Sequence, residues 1–412
     1  MSAGVSSAGV GLQPFGIPLE FVLFALTLLG VALFHRRALE VAATGLAVIV
    51  LYKLAFTGFP VLRGFFGLAM HVRAEWVILA NLFGLLTGFA LLSRHFEESH
   101  VPRRIPDYLP DDWRGAFVLL VMVFVLSSFL DNIAAALIGG TVAMTIFRQR
   151  VHVGYVAAIV AAANAGGSGS VIGDTTTTMM WIDGVSPLSV LHAYVAAVVA
   201  LVVCGIPASL QQQRHAPVVR HGSARVAIDW PRVVIVALVL VAAVAVNVAT
   251  NVWFPAWSGA FPFLGLTVWV VLVATGAWRR PDWSVMPATL RGASFLLCLV
   301  FAASLMPVER LPAASWETAL VLGFVSAVFD NIPLTKLALE QRGYDWGMLA
   351  YTVGFGGSML WFGSSAGVAI TSLFPEARSV GGWLRHGWYV VVAYVVGFAV
   401  LMLAFGWRPD SG

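Results

Sequence analysis

Three aspartates, Asp131, Asp174 and Asp330, stand deep inside long apolar stretches of this 412-residue chain. A charged side chain at bilayer depth costs roughly 2.5–3.5 kcal/mol on insertion scales, so by default it marks an ion, proton or substrate path. Asp131 and Asp330 occupy matching motifs, Ser127-Ser128-Phe129-Leu130-Asp131-Asn132-Ile133 and Ser326-Ala327-Val328-Phe329-Asp330-Asn331-Ile332. Asp174 lies in ANAGGSGSVIGDTTTTMMW (163–181), with Asn164, Gly166, Gly167, Gly169 and Gly173 before it and the run from Thr175 and Thr176 to Thr178 after it. Buried carboxylates can hold either a proton or a monovalent cation, and unwound carbonyls can help to coordinate the cation. Asp131, Asn164, Asp174 and Asp330 are therefore the candidate cation ligands. Asp174 also reads as the N-cap of a half-helix that resumes at Thr175, a task that Ser364 performs equally well at the matched position without a charge.

Such groups need elements that leave the helix inside the membrane. Backbone left unpaired in hydrocarbon is costly, so the 163–181 segment must be buried in protein or line a wet cavity. The same segment occurs twice: Gly166-Gly167-Ser168, four residues, then Gly173-Asp174-Thr175 aligns without a gap on Gly356-Gly357-Ser358, four residues, then Gly363-Ser364-Ser365. Two matched motifs in the same order in each half mark an internal duplication. The glycines, Gly354 included, let the backbone unwind toward a central cavity.

A composition of 59% hydrophobic and 11% charged residues excludes a soluble globular protein. The class is an all-α polytopic membrane protein. Apolar runs of spanning length, about 17–25 residues, fall at 17–34, 38–57, 74–94, 152–182, 188–210, 232–254, 263–278, 288–307, 346–372 and 380–406. Runs 114–147 and 316–341 are each interrupted by Asp-Asn near the middle. Arg114 on one flank and Arg148 and Arg150 on the other predict that both ends of 114–147 face the cytoplasm, which makes the run a re-entrant helical hairpin with Asp131 and Asn132 at its tip. Each half then has about five transmembrane helices plus one hairpin, with discontinuous helices at the centre, and the odd number of spans inverts the repeat. The expected organisation is a first repeat 1–210 (scaffold helices 17–94, hairpin and broken helix 114–182), a cytoplasmic linker 211–231 and a second repeat 232–412 (hairpin 316–341, broken helix 346–372). This threading puts most arginines inside and both termini outside. The 95–113 segment reads as a surface loop or interfacial helix.

The formal charge of +4 is too dispersed for nucleic-acid binding. Cys204 and Cys298 have no metal-site or disulfide spacing and read as small core residues. The first charged residue is Glu20, so no basic signal-peptide region precedes the first helix. Trp253, Trp257, Trp383 and Trp388 lie near span ends, as interfacial anchors do. Lys336 is the one basic side chain close to a hairpin tip, expected to snorkel outward or to pair with Glu340.

The DN hairpin, the NAGG…GDTTTTMMW segment, and DNIPL with GFGGSMLWFGSSAGVA in the second half resemble the ion transporter superfamily, most closely the NhaD-type sodium/proton antiporters, with arsenite permeases and citrate-type carriers as relatives. The likeness covers roughly 115–185 and 320–400. It implies ion-binding positions at Asp131, Asn132, Asn164, Asp174, Thr175, Thr176, Ser326, Asp330, Asn331, Ser358 and Ser364, with Gly166 and Gly167 in the unwound segment. It further implies sodium and protons as transported or coupling ions, no cofactor, and a homodimer whose protomers each have an outer scaffold and an inner transport domain in the cell (inner) membrane. The chain departs from those antiporters at Ala134 and Ala135, where they carry threonines, and at Ser170-Val171, where they carry Ser-Pro. A sodium- or proton-coupled anion carrier of citrate, dicarboxylate or arsenite type is the alternative. An intramembrane aspartyl protease, suggested by Gly173-Asp174, is a remote one, because the best-matched acids come paired with asparagine, which proteolysis does not need. No Walker motif is present, so ATP-driven transport would need a separate subunit.

Overall fold

The structure, a computed structural model, describes residues 12–13, 16–34, 37–59, 62–104, 109–218, 227–254, 257 and 260–409. The described residues form helices and connecting turns, with no strand among them. Among the described residues, six helices are long and apolar enough to cross a membrane: Ala38–Thr57, Gly64–Glu98, Leu188–His215, Trp230–Val248, Trp283–Ser304 and Val380–Phe405. Shorter apolar helices include Trp113–Ser127, Asn132–Ile146, Val153–Ser168, Phe263–Thr275 and Trp316–Ser326. Gly64–Glu98, at 35 residues, is about 52 Å long by its rise per residue, well beyond a hydrocarbon core of about 30 Å. Its far end accordingly carries charge.

Two groups of helices make most of their contacts internally, while one continuous apolar core runs through both. The helices Leu19–Leu33, Ala38–Tyr52, Gly64–Glu98, Trp230–Val248, Phe263–Thr275 and Met286–Ser304 pack chiefly on one another. Gly84 and Gly265 let two of them approach so closely that a Cβ on Gly84 would stand 2.8 Å from the Gly265 Cα, the small-residue contact that membrane helices use. Asn81 Oδ1 accepts from the Gly265 amide at 3.0 Å across the same crossing. Where these helices end, Arg94 pairs with Glu97, Glu98 and Asp282, while Arg232 and Arg279 share Asp229. Hydrogen bonds from Ser284 and Arg94 hold the Asp282 carboxyl down to about 2. A carboxyl depressed in this way loses its partner only as pH falls through that value, so the clamp persists across the physiological range.

The second group is built on the two interrupted helices. Residues 114–147 form the limbs Trp113–Ser127 and Asn132–Ile146, and residues 316–341 form Trp316–Ser326 and Asn331–Gln341. Limbs of 15 and 11 residues are about 22 and 16 Å long, too short to cross about 30 Å of hydrocarbon. The 152–182 run breaks into Val153–Ser168 and Thr175–Ile182, and 346–372 into Trp346–Gly356, a single turn Gly357–Met359, and Ser365–Ile370. Every residue from Gly154 to Ser168 is buried. This helix is rich in alanine and glycine because both hairpin limbs, Ala193–His215, Val380–Phe405 and the second broken helix all close on it.

Local geometry repeats between the halves. Ser127 Oγ donates to Ala163 O at 2.5 Å, and Ser326 Oγ donates to Val353 O at 2.7 Å. Asp131 and Asp330 each cap the limb that comes next, accepting from the amides of Ile133 and Ile332 at 2.8 and 3.0 Å. Asp174 and Ser364 are the N-caps of the two resumed half-helices.

Some positions depart from the sequence expectations. Trp253, Trp257 and Trp388 are exposed, as anchors should be, but Trp383 is buried and donates from Nε1 to Ser358 O at 3.2 Å. Its ring covers the single turn of the second broken helix, a demand that outweighs its place near a span end. Ala193–His215 runs five residues into the segment read as linker, and the next helix starts at Trp230. Residues 219–226 of that linker lie outside the described residues, as do 105–108 of the 95–113 segment, where the described part is helical at Val101–Arg104. Cys204 is buried, Cys298 is half-buried, and both are free.

Candidate functional site

Asn164 is the hub where the halves meet. Its Oδ1 accepts from Asn132 Nδ2 at 3.1 Å, and its Nδ2 donates to Ser358 Oγ at 2.9 Å and Ser364 Oγ at 3.0 Å. Asn132 Nδ2 also donates to Asp174 Oδ1 at 3.2 Å. A single buried chain of polar groups thus joins the first hairpin, the first broken helix and the second broken helix. Buried polar networks are stable only when their members are satisfied, and both side-chain groups of Asn164 are.

The threonines after Asp174 hold its carboxylate. Thr176 Oγ1 donates to Oδ2 at 2.7 Å, and the Thr176 amide approaches Oδ1 at 3.4 Å. The capping reading is therefore correct as far as it goes. The two acceptances at Oδ1 and one at Oδ2 leave one of the carboxylate's about four lone-pair sites, on Oδ2, for a further partner. Thr177 and Thr178 are spent on backbone: their hydroxyls donate to Ser170 O and Val171 O, closing the break between the half-helices. Gly166 and Gly167 permit close approach, since a Cβ on either would collide with Phe124 of the hairpin or with Asp174 and Gly173.

One cavity reaches this carboxylate. Asp131, Asp174, Thr175 and Thr178 line one side, and Leu82, Leu85, Leu86 and Phe89 of the long Gly64–Glu98 helix line the other. Among the described residues no basic one lines it. Asp330 lies at the second hairpin, where Ser365 Oγ donates to its Oδ2 at 3.1 Å.

Of the sequence candidates, the structure links Asn132, Asn164, Asp174, Thr176, Ser358 and Ser364 by direct hydrogen bonds, and brings Asp131 and Thr175 to the same cavity. Ser326 is spent on Val353 O. Asn331 is buried at the first position of its limb, and Asp330 bonds Ser365 and its own limb rather than Asn164. Among the described residues no three His, Cys, Asp or Glu side chains cluster as a metal site.

One charged group, Glu75, escaped the sequence reading. Lys336 does not snorkel outward: it is 2% exposed and lies between Glu340 at 2.6 Å, the expected partner, and Glu75 of the long helix at 2.9 Å. The i, i+4 spacing to Glu340 was readable. The pairing with Glu75 was not, because nothing local connects residues in opposite halves of the chain. Arg342, just beyond, pairs with Asp183 at the end of the resumed half-helix Thr175–Ile182.

Buried acids on interrupted, internally packed helices within an apolar bundle are the architecture of a membrane-transporter class of protein. The chain belongs to the citrate transporter (CitMHS) family, whose description matches residues 21–354. It is also 27% identical over 78% of its length to Sodium/proton antiporter 1 of Arabidopsis thaliana, and 26% identical over 66% to Sodium/proton antiporter 2 of the same plant. The Na(+)/H(+) antiporter NhaD of Vibrio parahaemolyticus is 26% identical over 68% of the chain. The chain covers 62% of the first of these relatives, 73% of the second and 78% of the third. These families are transporters and not enzymes, so the aspartyl protease reading falls.

Proposed function

We propose that the chain is a secondary active transporter, a sodium/proton antiporter-like ion exchanger in which one buried carboxylate site takes a cation or a proton in turn. The observation that carries this reading is the cavity beside Asp174, with two acids on its wall and no base among the described residues. A cation entering there meets Asp174, Asp131 and Thr175. Asn132 and Thr176 hold the Asp174 carboxylate in place, and Asn164 ties the site to Ser358 and Ser364, so that binding is felt in both halves. The names of the relatives point the same way.

A coupled anion carrier of citrate, dicarboxylate or arsenite type is the second reading, favoured by the family's name and by the half-helix N-terminus at Thr175. Two features oppose it. Asp174 already supplies the negative group at that N-terminus, and Lys336, the base nearest a tip, is neutralised between two carboxylates. Flux into proteoliposomes with sodium, lithium, arsenite and citrate, compared under an imposed pH gradient, tests the choice. Sodium or lithium should move protons, while citrate and arsenite should neither be taken up nor alter the gradient. Uptake of citrate without cation-driven proton movement would reverse the assignment.

In this reading the chain is an inverted repeat with two re-entrant hairpins, sited in the inner membrane as a homodimer with residues 211–231 cytoplasmic. The outer helix group is the scaffold and the inner group the transport domain. The short limbs and the matched caps support it. Arg114 and Arg148 then lie on the same, cytoplasmic side. Single cysteines at the two positions, in a background without Cys204 and Cys298, should both be labelled by an impermeant thiol reagent from that side only. Labelling from opposite sides would turn the hairpin into a span and break the inversion.

A further inference from the structure

Lys336 has two carboxylate partners of different standing. Glu340, at 2.6 Å, is one turn further along the same limb, so it goes wherever Lys336 goes. Glu75, at 2.9 Å, belongs to the Gly64–Glu98 helix of the other group. Other ion pairs stay within one group: Arg94 with Asp282 and Arg232 with Asp229 in the first, Arg342 with Asp183 and His192 with Asp345 in the second. Lys336 and Glu75 thus make a charged tie between the groups, buried at both ends. Glu75 also shares a helix face with the cavity wall. Glu75, Leu82, Leu86 and Phe89 follow at spacings of seven, four and three residues, which at about 100° per residue keeps them within about 60° of the circumference. Leu82 is about 10 Å along the axis from Glu75. The same helix packs on Asn132–Ile146 and Thr175–Ile182, the two elements that Asp131 and Asp174 cap on the opposite wall.

We propose that Lys336 is a positioning residue for the cation site: through Glu75 it holds the apolar face of the Gly64–Glu98 helix over the cavity, and Glu340 makes the hold releasable. Apolar attraction is non-directional, so leucine and phenylalanine contacts keep one register against another less strictly than a buried ion pair, whose members are strongly penalised when parted. If the wall moves off the cavity, Lys336 leaves with Glu340 and is not stranded. Glu75 does lose its counter-ion, and that cost is what favours the closed register. The proposal rests on the cavity beside Asp174 being the exchange site, and adds what keeps that cavity shut.

The test reads access to the cavity. Ile172, on its wall, is replaced by cysteine in the full-length chain without Cys204 and Cys298, and the rate of its labelling by N-ethylmaleimide is measured in detergent, with size exclusion as the check on folding. Lys336→Met with Glu75→Gln should raise the rate about tenfold or more, the scale on which close charge pairs couple. Exchanging the charges, Lys336→Glu with Glu75→Lys, should return it to within about twofold of the starting rate, because the ammonium then stands at 75 and the carboxylates at 336 and 340. Glu340→Gln should act in the opposite direction. It leaves the pair with Glu75 intact and removes the partner that Lys336 departs with, so labelling should slow by about twofold to fivefold, the scale of an exposed pair. Glu340 is exposed, so this variant decides the proposal even if the double ones fold poorly. An unchanged rate in the neutral pair, equal acceleration in the neutral and exchanged pairs, or an unchanged or faster rate in Glu340→Gln would each overturn it. Sodium should slow labelling in the chain with its natural charges by occupying the cavity; labelling that follows the charges and ignores sodium would defeat the exchange reading alone.

Discussion

Asp174→Asn is expected to remove cation-driven proton exchange while the chain remains folded and inserted. Asparagine caps helices as well as aspartate, and its carbonyl oxygen can still accept from Asn132 and from the Thr176 amide. The half-helix beginning at Thr175 therefore keeps its start. What disappears is the exchangeable charge. Loss of one partner from a buried charge contact costs about 3 kcal/mol, which is about 100-fold in affinity, and the amide has no proton to give up in return. Exchange in proteoliposomes should fall at least that far, with unchanged elution on size exclusion. Near-normal exchange would make Asp174 a cap and nothing more, and would move the site to Asp131 or Asp330.

The second large effect concerns stability. Lys336→Met should destabilise the chain by about 3–5 kcal/mol, the cost of leaving a buried partner uncompensated. Glu75 is 8% exposed and faces Lys336 from the Gly64–Glu98 helix, so it is left without its counter-ion. Glu340, at the more open end, can reach water. Adding Glu75→Gln to Lys336→Met should recover most of the loss, since removing both members of a buried pair is often close to neutral. Thermal unfolding of the single and double variants in one detergent decides it. A loss under about 1 kcal/mol in the single variant would class the pair with exposed salt bridges, and an undiminished loss in the double variant would mean that Lys336 matters for packing rather than charge.

The helices were largely legible in the sequence because hydropathy and interruption are both local signals. Asp131 and Asp330 announced the breaks in the hairpins, and Gly173-Asp174-Thr175 announced the resumed half-helix, since an acid before threonines is a cap wherever it falls. The hub was partly legible: Asn164 and Ser364 stood out as polar residues in apolar runs, but only the fold shows that one amide spans both halves. Two things had no local signature. Glu75 and Lys336 meet through the packing of distant helices. Trp383 lies near a span end yet turns inward.

Calorimetry of sodium binding to the detergent-solubilised chain, run in two buffers of different ionisation enthalpy, reads the proposed chemistry most directly. If one carboxylate holds either a proton or the cation, sodium must displace protons, and the measured heats must differ between the buffers in proportion to their ionisation enthalpies. Apparent affinity should weaken as pH falls, and the difference in heats should vanish in Asp174→Asn. Identical heats in both buffers, with binding confirmed, would contradict proton exchange and leave a sodium-coupled anion carrier as the better description.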